Sequence, residues 1–341
     1  MTKGRSAGQE RRVWPRAAVW GVVAVCGGLL VAVAAWVAVW NGHALAASSR
    51  LRLEDIPFNG ARAYQYLRQI CDIGPRPSGS PGMLQQQRIL AAHFQKLGGK
   101  VWLQRFRIPH PVDGRPVELA NLIVHWHPDR QERVLLCAHY DTLPYPMLDP
   151  IDPRGRFVGA NDGGSGVAVL MELAHEIPSL PVEFGIDFVL LDGEEFIFRK
   201  SDRFFLGSEY FARWYAASKP GYRYRWGVLL DMVGDADLQI YQERNSVWWR
   251  DTRPLVAAIW DTARRLRVRE FVPRWKYEIR DDHLMLRNVG GIPTCLIIDY
   301  DYPPWHTRGD TIDKCSALSL AKVGWVVREW LKSAEMGSAA R

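Results

Sequence analysis

Between residues 120 and 333 short apolar runs alternate with helix-like stretches, and no other feature of the sequence restricts the fold so far. The runs at 120–126 (ANLIVHW), 133–138 (RVLLCA), 186–191 (IDFVLL), 226–232 (WGVLLDM) and 293–298 are short and rich in β-branched and aromatic residues. Such runs suit strands buried on both faces. Between them VAVLMELAHEI, from Val167, reads as an amphipathic helix, and helical patterns follow near 205–217, 254–266 and 317–333. Two more precede the first strand, at 59–71 and 83–97, the second with Leu90, Phe94 and Leu97 at helical spacing. GPRPSGSPG at 74–82 reads as a loop and DGRP at 113–116 as a turn. The alternation predicts one α/β domain whose mostly parallel central sheet is flanked by helices.

In such sheets ligands bind beyond the carboxyl ends of the strands. The residues expected there are His139, Asp141, Asp162, Glu194, Glu195, Asp231, Asp281, Asp282 and His306. The adjacent pair Glu194–Glu195 follows the strand at 186–191 and would repel unless a cation, a proton or solvent accounts for it. Taken alone, the pair fits a solvated acidic loop better, and only distant residues change that reading. Asp162, Glu195 and His306 together have the donor chemistry of a zinc site, against the alternative of a structural hydrogen-bond network. Glu194, beside the ligand Glu195, would then be placed as general base and later general acid.

The N-terminal part is of a different kind. Residues 17–40 carry no charge, and ~20 apolar residues suffice to cross the hydrocarbon core of a bilayer. Residues 1–16 hold five basic residues against the single acid Glu10, which predicts a cytoplasmic tail, a single membrane span and an exported domain. The competing reading is a cleaved signal peptide, with ALA at 44–46 as the processing site, but its apolar core would usually span only ~7–15 residues. A linker at 41–58, a zinc-dependent domain at 59–335 and a tail at 336–341 complete the expected organisation. The basic tail accounts for more than half of the formal charge of +7, so the remainder carries no nucleic-acid footprint. Cys71, Cys137, Cys295 and Cys315 lack the short spacings of a metal knuckle, and disulfides among them remain open.

The motifs HYD at 139–141, Asp162, GEE at 193–195, Asp231, DDH at 281–283 and WHT at 305–307 stand in the order and spacing of a known group. From about Ala61 to Leu331 the chain resembles the zinc aminopeptidase superfamily that also contains the animal glutaminyl-peptide cyclotransferases. The resemblance implies Asp162, Glu195 and His306 as zinc ligands and Glu194 as the acid/base residue. It implies His139 and Asp231 as ligands of a second zinc in the two-zinc aminopeptidases, or Asp231 as a member of a hydrogen-bonded carboxylate chain in the one-zinc cyclases. DDH in place of SDH, which adds Asp281, and Trp305 before His306 are similar to the cyclase branch, as are SGSPG at 78–82 and FVGA at 157–160. NDGGSGVA at 161–168 is similar to the aminopeptidase form. The tryptophan that cyclases carry just beyond GEE is replaced by the sequence FIFRK, and the second cysteine of the pair that flanks the first motif in animal cyclases is missing.

Two substrate classes follow, both peptide N-termini. As a cyclase, Glu194 would take a proton from the α-amine of an N-terminal glutamine, whose attack closes a five-membered lactam and expels ammonia, with Asp231 and Asp281 tuning Glu194. As an aminopeptidase, Glu194 would deprotonate the water that attacks the first peptide bond. An inactive receptor-like ectodomain is the third alternative, opposed by the intact Glu194 and ligand set. Trp305 is expected to wall the pocket, the alternative being plain packing. Trp248 and Trp249 are expected as surface or packing residues, and His283 as an orienter of Asp282 or a loop cap.

Overall fold

A computed structural model of the chain describes residues 49–334. The expected cytoplasmic tail, the uncharged run at 17–40, residues 41–48 of the linker and the C-terminal residues 335–341 lie outside the described residues. Among the described residues no helix is long and apolar enough to cross a membrane. Residues 49–58, expected as the end of the linker, are packed onto the domain. Ile56 and Phe58 are buried in its core, and the Ser49 amide and hydroxyl both donate to Glu270 Oε1.

The elements run α1 (Gly60–Ile73), α2 (Pro81–Lys96), β1 (Lys100–Pro109), β2 (Pro116–Trp126), β3 (Glu132–His139), α3 (Gly166–Leu173), β4 (Gly185–Leu191) and α4 (Leu206–Ser218). They continue with β5 (Arg223–Asp231), β6 (Ile240–Gln242), α5 (Arg244–Trp248), α6 (Arg253–Arg265), β7 (Phe271–Trp275), α7 (Asp282–Asn288), β8 (Thr294–Ile298) and α8 (Ala317–Ser333). The main sheet has the order β1-β2-β4-β3-β5-β8. β2 runs antiparallel to both its neighbours, and β4, β3, β5 and β8 are mutually parallel. β6 and β7 form a separate parallel pair.

Alternate residues of the central strands feed two cores, as the two-residue period of a strand requires. Leu136, Phe188, Leu190, Leu230 and Ile297 point to one face and pack with α1, α2, α3, α6 and α8. Leu135, Val189, Leu191, Leu229 and Leu296 point to the other face, with Phe211 of α4 and Leu286 of α7. The continuous apolar runs thus come from strands covered on both sides.

Two expectations need correction. α3 is not amphipathic, since every residue from Gly166 to Leu173 is buried. It is enclosed by the sheet on one side and by α1 and α8 on the other, leaving no solvent side for polar residues. The stretch 74–82 is not loop throughout, because α2 begins at Pro81. Ser80 caps it by accepting the Met83 amide at 3.1 Å, and proline suits a first helical position because its missing N–H would go unpaired there anyway. The four described cysteines are free and buried.

The edge opposite the strand carboxyl ends is pinned by a buried carboxylate. Asp187 of β4 receives Arg133 Nε of β3 at 3.0 Å, His125 Nδ1 of β2 at 2.8 Å and the Tyr224 hydroxyl of β5 at 2.5 Å. Burial raises its pKa, but the bonds and charges of His125 and Arg133 outweigh that, and Asp187 lies below the ordinary carboxylate value. Removing one partner of such a pair strands a buried charge, so Asp187→Asn should lose ~3–5 kcal/mol at neutral pH in urea unfolding. A depressed carboxylate stabilises the fold above its unfolded pKa, and that contribution is lost as pH falls through the folded value. The deficit of the variant should therefore shrink in acid, and a deficit independent of pH would refute the ionic assignment.

Candidate metal centre

The carboxyl ends of β3, β4, β5 and β8 deliver the site. β3 ends at His139 and β5 at Asp231, the turn after β4 carries Glu194 and Glu195, and the loop after β8 carries His306. Asp162 lies on the turn that leads into α3, where the backbone leaves helical geometry at Asp162 and Gly163. Gly163 has φ 81°, and a Cβ there would sit 2.3 Å from the Asp141 carbonyl oxygen, so the crossing requires glycine. Met232 and His306, each at the site, hold φ values of 45° and 57° without being glycine. Such backbone costs on the order of 1–3 kcal/mol per residue and persists where the surroundings fix it.

Asp162 stands between the two histidines. Its Oδ1 is 3.1 Å from His139 Nε2 and its Oδ2 is 3.4 Å from His306 Nε2. His139 Nε2 is also 3.1 Å from Asp231 Oδ1, and His306 Nε2 is 2.6 Å from Glu195 Oε1. Two donor sets result, His139–Asp162–Asp231 and Asp162–Glu195–His306, each with ligand atoms within 4.8 Å of one another, and they share Asp162. Glu194 closes a third group with His139 and Glu195, its Oε2 being 3.9 Å from His139 Nδ1.

These residues suit a divalent ion. Zinc takes nitrogen and oxygen at ~2.0–2.2 Å, so its donors stand a little over ~3 Å apart. The spacings between His139, Asp162, Asp231 and His306 match that. The buried Asp162 Oδ2 has no hydrogen-bond partner among the described residues, although a buried carboxylate oxygen ordinarily finds one. Burial, then Asp162, lifts Glu195 to about 7. Burial lifts Glu194 well above the ordinary range, with Glu195, Asp282 and Asp281 adding to the effect and His139 opposing it. His139 is raised too, because Asp231, Asp141 and Asp162 outweigh its burial. Crowding of this kind is relieved by a cation.

A carboxylate frame holds the candidate ligands in place. Asp141 accepts the Glu194 amide with Oδ1 and the Glu195 amide with Oδ2, both at 3.1 Å. Asp310 does the same for Asn161 at 2.8 Å and Asp162 at 3.1 Å, and receives the Tyr302 hydroxyl at 2.7 Å. Ser78 donates to Asp192 Oδ1 at 2.6 Å, and Asp192 Oδ2 accepts the Ala120 amide at 2.7 Å. Sequence reasoning assigned Asp310 and Asp192 no part. Their signal was position alone, an acid four residues after His306 and another two before Glu194.

Every expected site residue reaches this edge. Asp281 is buried, caps α7 through the Asp282 amide and lines the cavity, and Asp231 is the largest of the neighbouring charges that add to burial in raising its pKa. Asp282 turns instead to the Ser208 hydroxyl. His283 is buried against Glu243, at 3.4 Å, and plays no part in the centre. Trp305 tilts against His306 with ring centroids 4.1 Å apart and lines a cavity of about 550 Å³. The remaining wall includes Met147, Phe204, Phe205 and Tyr300, which sequence reasoning did not select. Trp248 is half exposed beneath Arg244, and Trp249 packs against His283 and Arg287.

The family description Peptidase family M28 matches residues 121–331, from β2 to the last turns of α8. The chain belongs to peptidase family M28. Among solved structures, a glutaminyl cyclase from Fimbriiglobus ruber is 39% identical, with a TM-score of 0.78 over 82% of this chain and 96% of that one. A Zn-dependent exopeptidase from Parabacteroides distasonis is 31% identical, with a TM-score of 0.76 over 81% and 99%. The alkaline phosphatase isozyme conversion protein of Escherichia coli K12 is 26% identical over 152 residues, and the match spans 44% of its length.

Proposed function

We propose that this M28 chain is a zinc-dependent enzyme of peptide N-termini that converts N-terminal glutamine to pyroglutamate with release of ammonia. The observation that carries the cyclase reading is Asp281. It is buried at the cavity floor with Oδ2 unpartnered, and neighbouring Asp231 adds to the burial that raises its pKa, so the two carboxylates are suited to share a proton. An Asp231 occupied in this way serves a proton chain better than a second ion. The 39% identity to the Fimbriiglobus ruber glutaminyl cyclase supports the same reading.

Asp162, Glu195 and His306 would hold the ion. Bound there, zinc supplies Lewis-acid polarisation of a carbonyl. The chain itself does the rest. Glu194, whose raised pKa makes its ionised form a stronger base than a free carboxylate, takes a proton from the α-amine and passes it to the departing nitrogen. Asp231 and Asp281 buffer that proton at the floor. Trp305, Phe204 and Phe205 exclude water, which would otherwise compete with the amine. Holding the amine against its own side-chain amide supplies orientation, worth up to ~7–11 kcal/mol in well-aligned cases.

The second reading, an aminopeptidase, rests on the complete set His139–Asp162–Asp231, able to hold a second zinc. One assay separates them: incubation with Gln-initiated and Leu-initiated peptides, followed by product mass. Loss of ammonia without shortening is expected, and release of a free amino acid would favour the peptidase. We further infer that the uncharged run at 17–40 anchors the chain in a membrane with the M28 domain exported, supported by the basic residues ahead of it. Protease shaving of intact cells should remove the domain, and a protected domain would reverse the orientation.

A further inference from the structure

Among the described residues that line the cavity, one arginine has no counter-charge. Glu278, Ile279, Arg280 and Asp281 follow one another along the cavity wall, the exposed Arg280 on the solvent side and the buried Asp281 on the inner side. The segment is held on both sides of Arg280, since the Ile279 amide donates to Glu243 Oε1 at 3.2 Å and Asp281 accepts the Asp282 amide at 2.6 Å. Ile279 and Asp281 are buried while Arg280 is exposed. The other charges nearby are matched: Glu278 lies 3.2 Å from Arg244, and Lys276 lies 2.6 Å from Asp301. Arg280 forms no ion pair and no side-chain hydrogen bond with any described residue, so its guanidinium is available to whatever passes the mouth.

We propose that Arg280 reads the residue that follows the N-terminal one of the substrate and favours an acidic side chain there. The inference rests on the cavity being a site for peptide N-termini. An α-amine belongs among Glu194, Asp231 and Asp281 at the floor, so the peptide must leave past the mouth. The next residue is one Cα step of 3.8 Å along, and the long arginine side chain spans such a distance. A basic residue at that place meets like charge, so repulsion adds to selectivity.

The test uses purified full-length protein and two peptide series, Gln-initiated and Leu-initiated, each with Glu, Ala or Lys as the second residue. Within the active series kcat/KM should fall in the order Glu, Ala, Lys, with a Glu-to-Lys ratio of ~3- to 10-fold, the size of an exposed ion pair plus its repulsive counterpart. Arg280→Glu should invert the ratio, Arg280→Lys should keep it, and 0.5 M salt should flatten it. Should Arg280→Glu lose its bound zinc or its circular dichroism spectrum, Arg280→Gln takes its place and should bring the ratio close to one. A ratio unchanged in the charge variants overturns the inference. No turnover in either series overturns the reading of the cavity itself, and this inference with it.

Discussion

Glu194→Gln is expected to lower turnover by ~100- to 10,000-fold, the usual contribution of a positioned acid/base group, while zinc content stays at the wild-type level. In the proposed role the carboxylate acts without binding the ion. It lies 3.9 Å from His139, outside the set formed by Asp162, Glu195 and His306, and its backbone amide is tied down by Asp141. Glutamine keeps the shape and loses the proton transfer. Burial places its pKa well above the ordinary carboxylate range, and so rate should climb with pH as Glu194 ionises and then level off; the climbing limb should vanish in the variant. A wild-type rate in Glu194→Gln would remove the acid/base assignment.

Asp162→Ala should strip zinc from the protein altogether, because Asp162 is the one residue common to both donor sets. His306→Ala should do the same to the set that also contains Glu195. His139→Ala discriminates between readings: with one ion held by Asp162, Glu195 and His306 it should keep zinc near one equivalent, whereas in a two-ion enzyme it should fall from two towards one. Loss of the ion should cost at least ~100-fold in rate, since Lewis-acid stabilisation is worth several kcal/mol and each ~1.4 kcal/mol is tenfold. Differential scanning calorimetry gives a readout apart from activity. Zinc bound only by the folded state raises Tm, so chelation should lower the wild-type Tm and leave that of Asp162→Ala where it was. Wild-type zinc content in Asp162→Ala would show that the donors are a hydrogen-bond network after all.

How legible these features were depended on burial. The runs that became β3, β4, β5 and β8 were plain because sheet strands covered on both faces need apolar residues at nearly every position. β1 escaped notice because it is an edge strand, pairs only with β2 and intersperses Gln104, Arg105 and Arg107 among its apolar residues. β6, β7, α5 and α7 are too short for a period to declare itself. α3 gave an apolar pattern whose one-sidedness was over-read, since Glu172 inside it is buried against Arg62 at 2.6 Å rather than solvated. The residues that gather as candidate ligands were legible from residue type at strand ends. The supporting acids were not, because what sets Asp192 and Asp310 apart from other loop aspartates is the backbone amides and hydroxyls they receive in the fold. The pocket wall was equally hidden, as Phe204, Phe205 and Tyr300 reach it from loops without periodicity.

Asp141 receives the amides of two successive residues on its two oxygens, one belonging to the residue placed as base and the other to a residue placed as ligand. Any sideways drift of the β4 terminus must therefore carry both carboxylates along as a single block. What stays constant is the gap between the proton acceptor and the ion, even while their common position wanders with thermal motion or with mutations deeper in the sheet. Replacements that shift this strand end as a whole should be forgiven, and those that let the two residues slide past each other should not.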